Sequence, residues 1–127
     1  MISPTARTLA YLRKQGYLAA VVEKWVPGAN IRQDLFGFAD ILAVYPGKVW
    51  QPSSGSGSST VVKSKEFLLV QTTTAGNFSS RMKKAKGRPE LGIWLQAGGK
   101  FEVHGWSKGP DGKWKVRVVM VMLEDLA

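Results

Sequence analysis

The sequence contains no cysteine. That excludes a disulfide framework and a thiolate metal site, and it suits a reducing compartment. His104 is the only histidine, so no pair of imidazoles is available to hold a metal. Acidic residues are scarce: nine Asp and Glu stand against eighteen Lys and Arg, a formal charge of +9. No apolar run nears the ~20 residues that a membrane helix needs. The opening residues "MISPTARTLAYLRK" lack the charge, apolar run and small-residue order of a secretory leader. These absences lead us to expect a cytoplasmic protein with no membrane partner. Two enzyme classes also drop out. The stretch "QPSSGSGSST" has neither the lysine nor the strand-to-helix setting of a phosphate-binding loop, and its serines lie in no nucleophile elbow.

The positive signals begin with size and charge. At 127 residues the chain has about one domain's length and enough surface to bury a real core. A basic domain of this size commonly meets a polyanion, with nucleic acid as the first expectation.

Turn signals divide the chain. Ser3 before Pro4 suits a helix start, Leu9, Tyr11 and Leu12 recur at helical spacing, and Gly16 suits its end. "YLAAVVEKWV" (17–26) predicts one strand, stopped by Pro27-Gly28. "NIRQDLFG" (30–37) reads as a polar crossing segment, and "FADILAVYPG" (38–47) as a second strand. Residues 51–60 read as a flexible Gly/Ser hairpin connection, after which "VVKSKEFLLVQTT" supplies the partner strand. In "GNFSSRMKKAKG", Asn77 or Ser79 suits the cap of a short helix ended by Gly87. "RPELGIWLQAGG" favours a second helix over a strand through Ile93 and Leu95. "KFEVHGWSK" and "KWKVRVVMVML", joined by "GPDGK", read as a hairpin. The expected order is α-β-β-β-α-α-β-β, an α/β or α+β domain (1–127) with a mixed central sheet flanked by helices.

Within that frame the stretch "EFLLVQTTT" is unusual. Residues 67–70 read as a strand buried on both faces, yet Gln71, Thr72, Thr73 and Thr74 follow without a turn. Polar groups at the end of a core strand cost free energy unless each is paired. Asp40 sits at the start of an otherwise apolar strand, just after Gly37, where a close approach is possible. It either caps local amides or binds a cation. Asp34 fits ordinary turn chemistry, and Arg32 either pairs with it or binds phosphate. Glu23 faces either solvent or the same pocket as Asp40. "RMKKAKGR" carries five cations in eight residues, Arg81, Lys83, Lys84, Lys86 and Arg88, of which Arg81, Lys84 and Arg88 share one helical face. A phosphate backbone would offset their mutual repulsion. His104, alone in a strand, reads as a packing or surface group. Trp106, Lys108, Lys113, Trp114, Lys115 and Arg117 mix basic and aromatic groups, some available for stacking bases and others for the core.

"GFADILAV", a hairpin, "FLLVQTT" and a basic helix together resemble the PD-(D/E)XK nuclease superfamily. The likeness is to its small Holliday-junction-resolvase-like and VRR-NUC-type members, often carried by phages. It covers residues 5–106. The resemblance implies a restriction-endonuclease-like core and a metal-dependent endonuclease acting on DNA, possible substrates including branched or junction DNA. It also implies a homodimer and a setting in a bacterial or phage-infected cell. Asp40 takes the position of the family's strand-two aspartate, and Glu23 that of an upstream acid, so these two would hold Mg²⁺ or Mn²⁺. The family's paired acid and lysine fall at Gln71 and Thr73, a departure at both positions. Lys84, or else Arg81, would then supply the missing charge, with Gln71 completing the shell or holding water and Asp34 or Glu23 compensating for the lost acid. Arg32, Arg81, Lys83, Lys84, Lys86 and Arg88 are the expected nucleic-acid contacts. The alternative is a catalytically inactive nucleic-acid-binding protein that keeps the fold.

Overall fold

The computed structural model describes residues 2–47 and 65–126; the expected Gly/Ser connection at 51–60 lies outside the described residues. Helix α1 is Pro4–Lys14. The Ser3 hydroxyl accepts from the Ala6 N–H at 3.1 Å, and Pro4 occupies the first turn, where its missing N–H costs nothing. Arg13 and Lys14 close the helix, and Gly16 turns the chain at φ +97°.

The next segment corrects the expectation of one strand over 17–26. β1 is Leu18–Val21, and β2 is Lys24–Val26, which leaves the main sheet. β2 instead pairs antiparallel with β3, Ile31–Gln33, the segment expected to be a mere crossing. Two details explain the split. The Val22 N–H donates to the Asp40 carbonyl at 2.8 Å, which ends the β1 edge pairing. Gly28 at φ +89° and Asn30 at φ +52° then fold the chain back on itself. Both residue types tolerate that region.

β4 is Ile41–Tyr45 rather than the full 38–47. Phe38 and Ala39 are buried in a tight bend where Leu35 bridges Ala39, with Phe36 and Gly37 both at positive φ. That bend delivers Asp40 immediately before the ladder. β5 is Glu66–Thr74, followed by a 3₁₀ turn, Ala75–Asn77, and α2, Phe78–Lys86. Asn77 is the cap position but makes no side-chain capping bond; the Ser80 hydroxyl donates to its carbonyl at 3.0 Å. α3 is Pro89–Gln96, a helix as expected, with Leu91 fully buried. The Trp94 indole N–H donates to the Lys100 carbonyl at 2.8 Å and fixes α3 to the next strand. β6, Lys100–Lys108, and β7, Trp114–Val121, form the expected hairpin.

The fold is α+β: a five-stranded mixed sheet in the order β1-β4-β5-β6-β7, flanked by helices. Only β5 and β6 run parallel, and α2 with α3 form the crossover between them. Side chains alternate across the sheet. Ile41, Ala43, Leu68 and Val70 pack with Leu12 of α1 on one face. Leu69, Phe101 and Val103 pack with Phe78, Ala85 and Leu91 on the other. The expectation of burial on both faces holds for Leu68, Leu69 and Val70, while Phe67 is exposed. By the same alternation Gln71 and Thr73 belong to the α2 face and Thr72 to the α1 face.

His104 is a packing residue. It is fully buried, with Nε2 2.9 Å from Glu102 Oε1 and Nδ1 3.4 Å from the Thr8 hydroxyl, which also accepts from the Trp106 indole at 2.9 Å. A hydroxyl, imidazole and carboxylate in that order suit nucleophilic chemistry, but Thr8 and His104 have no exposed surface, so no substrate reaches them. The chain of bonds ties α1 to β6. Among the described residues no helix is long and apolar enough to cross a membrane.

Gly105 seats α2 on the sheet. A Cβ there would stand 2.5 Å from Cδ2 of Phe78, the buried first residue of α2. Gly105→Ala is expected to cost about 1–3 kcal/mol by overpacking. Urea unfolding would read this as a lower midpoint at unchanged slope, and an unchanged midpoint would show that Phe78 moves aside freely.

Candidate functional site

Asp40 anchors the site. Its N–H donates to the Val70 carbonyl at 2.9 Å and its carbonyl accepts from Val22, so its backbone is fixed between β5 and β1. The side chain is buried, 4% exposed. Its Oδ2 accepts two hydrogen bonds, from Gln71 Nε2 at 2.7 Å and from the Thr72 N–H at 2.9 Å. Gln71 therefore holds Asp40 in place with its amide nitrogen. Thr73 is buried and lines the same cleft, and the Thr72 hydroxyl is buried with no partner among the described residues.

Asp34 and Glu23 converge on Asp40. One carboxylate oxygen from each of the three lies within 4.8 Å of the others. The bend at 34–39 brings Asp34 in, and the break between β1 and β2 turns Glu23 inward. Asp34 Oδ2 is buried without a donor among the described residues. Burial raises the Asp40 pKa most, because the charged form loses its hydration. Asp34 adds to the rise by hydrogen-bonding the protonated form and by its charge, Glu23 adds a smaller repulsion, and the Thr72 N–H opposes them; the Asp40 carboxyl is pushed up to about 8.

These acids line a cleft of about 760 Å³ together with Gln71, Arg81, Lys84 and Arg88. The helical spacing of Arg81 and Lys84 brings them to the cleft together, whereas Arg88, expected on the same helical face, lies beyond the end of α2 at the cap position of α3 and reaches the cleft from that turn. Arg88 also explains Gly37: a Cβ on Gly37 would stand 2.5 Å from the Arg88 Nε, so the guanidinium lies against the bend. Arg88 is bonded to Glu90 at 2.8 Å as well. Arg32 pairs with Glu23 at 2.9 Å rather than with Asp34, and its side chain stays 68% exposed.

Two of the expected contacts lie elsewhere. Lys83 and Lys86 face a separate groove on the opposite flank of α2, with Met82, Arg117 and Val119. A 100° turn per residue sends them away from Arg81 and Lys84. In the terminal hairpin, Trp106 is core, and Trp114 stays exposed with Arg7 stacked on one face, its guanidinium carbon 3.9 Å from the ring centroid. Sequence reasoning missed the Thr72 N–H, since a backbone donor carries no residue signature.

Three clustered carboxylates form a hard oxygen donor set of the kind that suits Mg²⁺ or Mn²⁺. The orphaned Asp34 oxygen and the proton retained by Asp40 fit the same reading: a cation would satisfy the first and displace the second. Compared with family models, curated proteins and solved structures, the chain matches none of them.

The Asp40 carboxyl makes stability pH-dependent. The folded protein holds this proton up to about pH 8, whereas an unfolded aspartate releases it near pH 4. Between those values the native state binds more protons, so stability falls as pH rises. In metal-free buffer with EDTA, urea midpoints are expected to drop from pH 5 to pH 8.5. Asp40→Asn should flatten that drop, and an equally steep profile in the variant would show that another group carries it.

Proposed function

We propose that this chain is a metal-dependent phosphodiesterase acting on DNA, related in architecture to the PD-(D/E)XK nucleases. The observation that carries the reading is the meeting of two opposite charge sets in one cleft: Glu23, Asp34 and Asp40 line it together with Arg81, Lys84 and Arg88. Acids alone would suit any cation, and bases alone any anion. Together they suit a metal ion and the phosphodiester it activates.

Mg²⁺ or Mn²⁺, held by Asp40, Asp34 and Glu23, would lower the pKa of bound water and offset charge on the scissile phosphate. Asp34 supplies the negative charge that Gln71 lacks. Gln71 and the Thr72 N–H are positioning groups, because they act through Asp40. Arg81 and Arg88 bind the phosphodiester, and Lys84 stabilises the charge that develops on it. The Thr73 hydroxyl offers a hydrogen bond to water but no positive charge. Arg32 stands at the rim, where release from Glu23 would free both a metal ligand and a phosphate contact.

A second reading is a DNA-binding protein without hydrolysis. Gln71 and Thr73 favour it, because they stand where an acid and a lysine would be expected, as does the occupation of Glu23 by Arg32.

The deciding experiment incubates purified protein with Mg²⁺ or Mn²⁺ and linear, branched and single-stranded DNA. Cleavage is expected, and Gln71→Ala should slow it about 10–100-fold as a positioning defect. Asp40→Asn should cost more while leaving DNA binding in place. Lys84→Ala should reduce kcat by about 10²–10³. Salt-dependent binding with every substrate uncut in both metals would instead establish the binder.

A further inference from the structure

We infer that α2 lies in the major groove of duplex DNA, with a row of cations on each flank that contacts a different phosphate backbone. This rests on the nucleic-acid reading above and adds the form of the substrate: a double strand, held from both sides of one helix.

The first observation is the distribution of charge around α2. Phe78 and Ala85 point to the sheet and are buried, with Met82 beside them. At 100° per residue, Arg81 and Lys84 leave one flank of the remaining arc, and Lys83 and Lys86 leave the other. Ser80 lies between the two flanks, exposed and small, and Ser79 lies on the Lys83 and Lys86 side. Four cations clustered this closely on one short helix repel one another. A single phosphate backbone would relieve only the flank it touched.

The second observation is that α2 is a ridge between two grooves. On one side is the cleft that holds the acids. On the other is a groove of about 470 Å³ whose lining includes Phe78, Ser79, Lys83, Lys86 and Arg117. No acidic side chain lines that second groove among the described residues, so it has no cation to hold and no negative charge to repel a phosphate. Arg117 comes from β7, and its guanidinium carbon is held 4.4 Å from the Phe78 ring centroid. A guanidinium fixed on an aromatic face is pre-organised for phosphate, because less side-chain freedom is lost on contact. The groove thus has three cations from two elements that the hydrolytic reading leaves unused.

Size favours the same seat. An α-helix with side chains is about 10–12 Å across, and the major groove of B-form DNA is about 12 Å wide. A helix with the small Ser80 at its crown and cations on both sides fits that space, with one phosphate strand on each flank. Duplex RNA does not offer the same seat, because its major groove is deep and narrow. A single strand offers only one backbone. The strand on the acidic side is then the one presented to Asp40, and the strand on the Arg117 side sets the depth and angle of the helix.

Fluorescence anisotropy in EDTA, which prevents cleavage, tests the inference. The probes are labelled DNA duplex of about two helical turns, the single strand of the same length, and the matching RNA duplex, each titrated across a salt series. Lys83→Gln with Lys86→Gln changes only exposed side chains and should fold normally, as circular dichroism would verify. Its affinity for the DNA duplex should fall roughly tenfold or more, with a salt dependence shallower by about two phosphate contacts. Single-strand binding, which depends on the other flank, should change less than about twofold, and wild-type protein should prefer the DNA duplex to the RNA duplex. Arg117→Gln should weaken duplex binding in the same direction. The inference is overturned if the double variant binds duplex as wild type does, if single strand and duplex lose affinity equally, or if the RNA duplex binds as tightly as DNA. Wild-type protein that binds no nucleic acid removes the nucleic-acid reading and this inference together. A flank-dependent loss on duplex in a protein that never cleaves keeps this inference and removes only the hydrolysis.

Discussion

Asp40 is a carboxylate placed at the head of a central strand, with its backbone locked between β1 and β5 and its side chain out of water. Two N–H donors reach one of its oxygens. Hydrogen bonds to a charged group contribute about 1.5–3 kcal/mol each, while taking an ion out of water costs several kcal/mol even after relaxation. Two further carboxylates within 4.8 Å move the balance further against the charged form. The uncompensated site therefore keeps a proton, and it favours any partner that brings positive charge. The break between β1 and β2, the bend at 34–39 and the polar end of β5 all serve to build this imbalance.

Much of the site was legible because single residues stood out against their neighbours. An aspartate opening an apolar strand, and an amide with three threonines closing another, each violated the local pattern, and the two meet in space. The spacing of Arg81 and Lys84 was legible for the same reason that any helical face is, while Arg88 reaches the cleft from the turn between α2 and α3 instead. The β2–β3 hairpin was not. Its strands are three residues long and largely exposed, so neither alternation nor a buried run marks them. Its existence follows from a pairing between two segments that have little preference of their own. The Thr72 N–H and the Arg117–Phe78 contact were hidden differently, since one is a backbone group and the other joins residues 39 positions apart in the chain.

The alternation of β5 explains why its polar end has more than one residue type. Gln71 and Thr73 point to the α2 face, toward the acids and the basic wall. Thr72 points to the α1 face, where its register partner on β6 is His104. The second face is polar at that level too: Thr8, His104, Glu102 and Trp106 share hydrogen bonds there. The central strand thus passes from a fully apolar stretch at Leu68 and Leu69 into two polar layers, one on each side of the sheet. The inner layer is closed and has no exposed surface at Thr8 or His104, so it orders α1 against β6. The outer layer opens into the cleft, so its polar groups remain available for chemistry.

This division also constrains how α2 is held. The helix must approach the sheet closely enough to place Arg81 and Lys84 over the cleft, and Gly105 permits that approach by leaving room for Phe78. The same Phe78 ring carries Arg117 over its face. One aromatic side chain thereby couples the depth of α2 to the position of a cation on β7. A shift of the helix that widened the acidic cleft would also move the far basic flank, so the two rows of cations keep a fixed separation. Such an arrangement would suit a partner with two charged rails of constant spacing and would not single out a flexible polyanion.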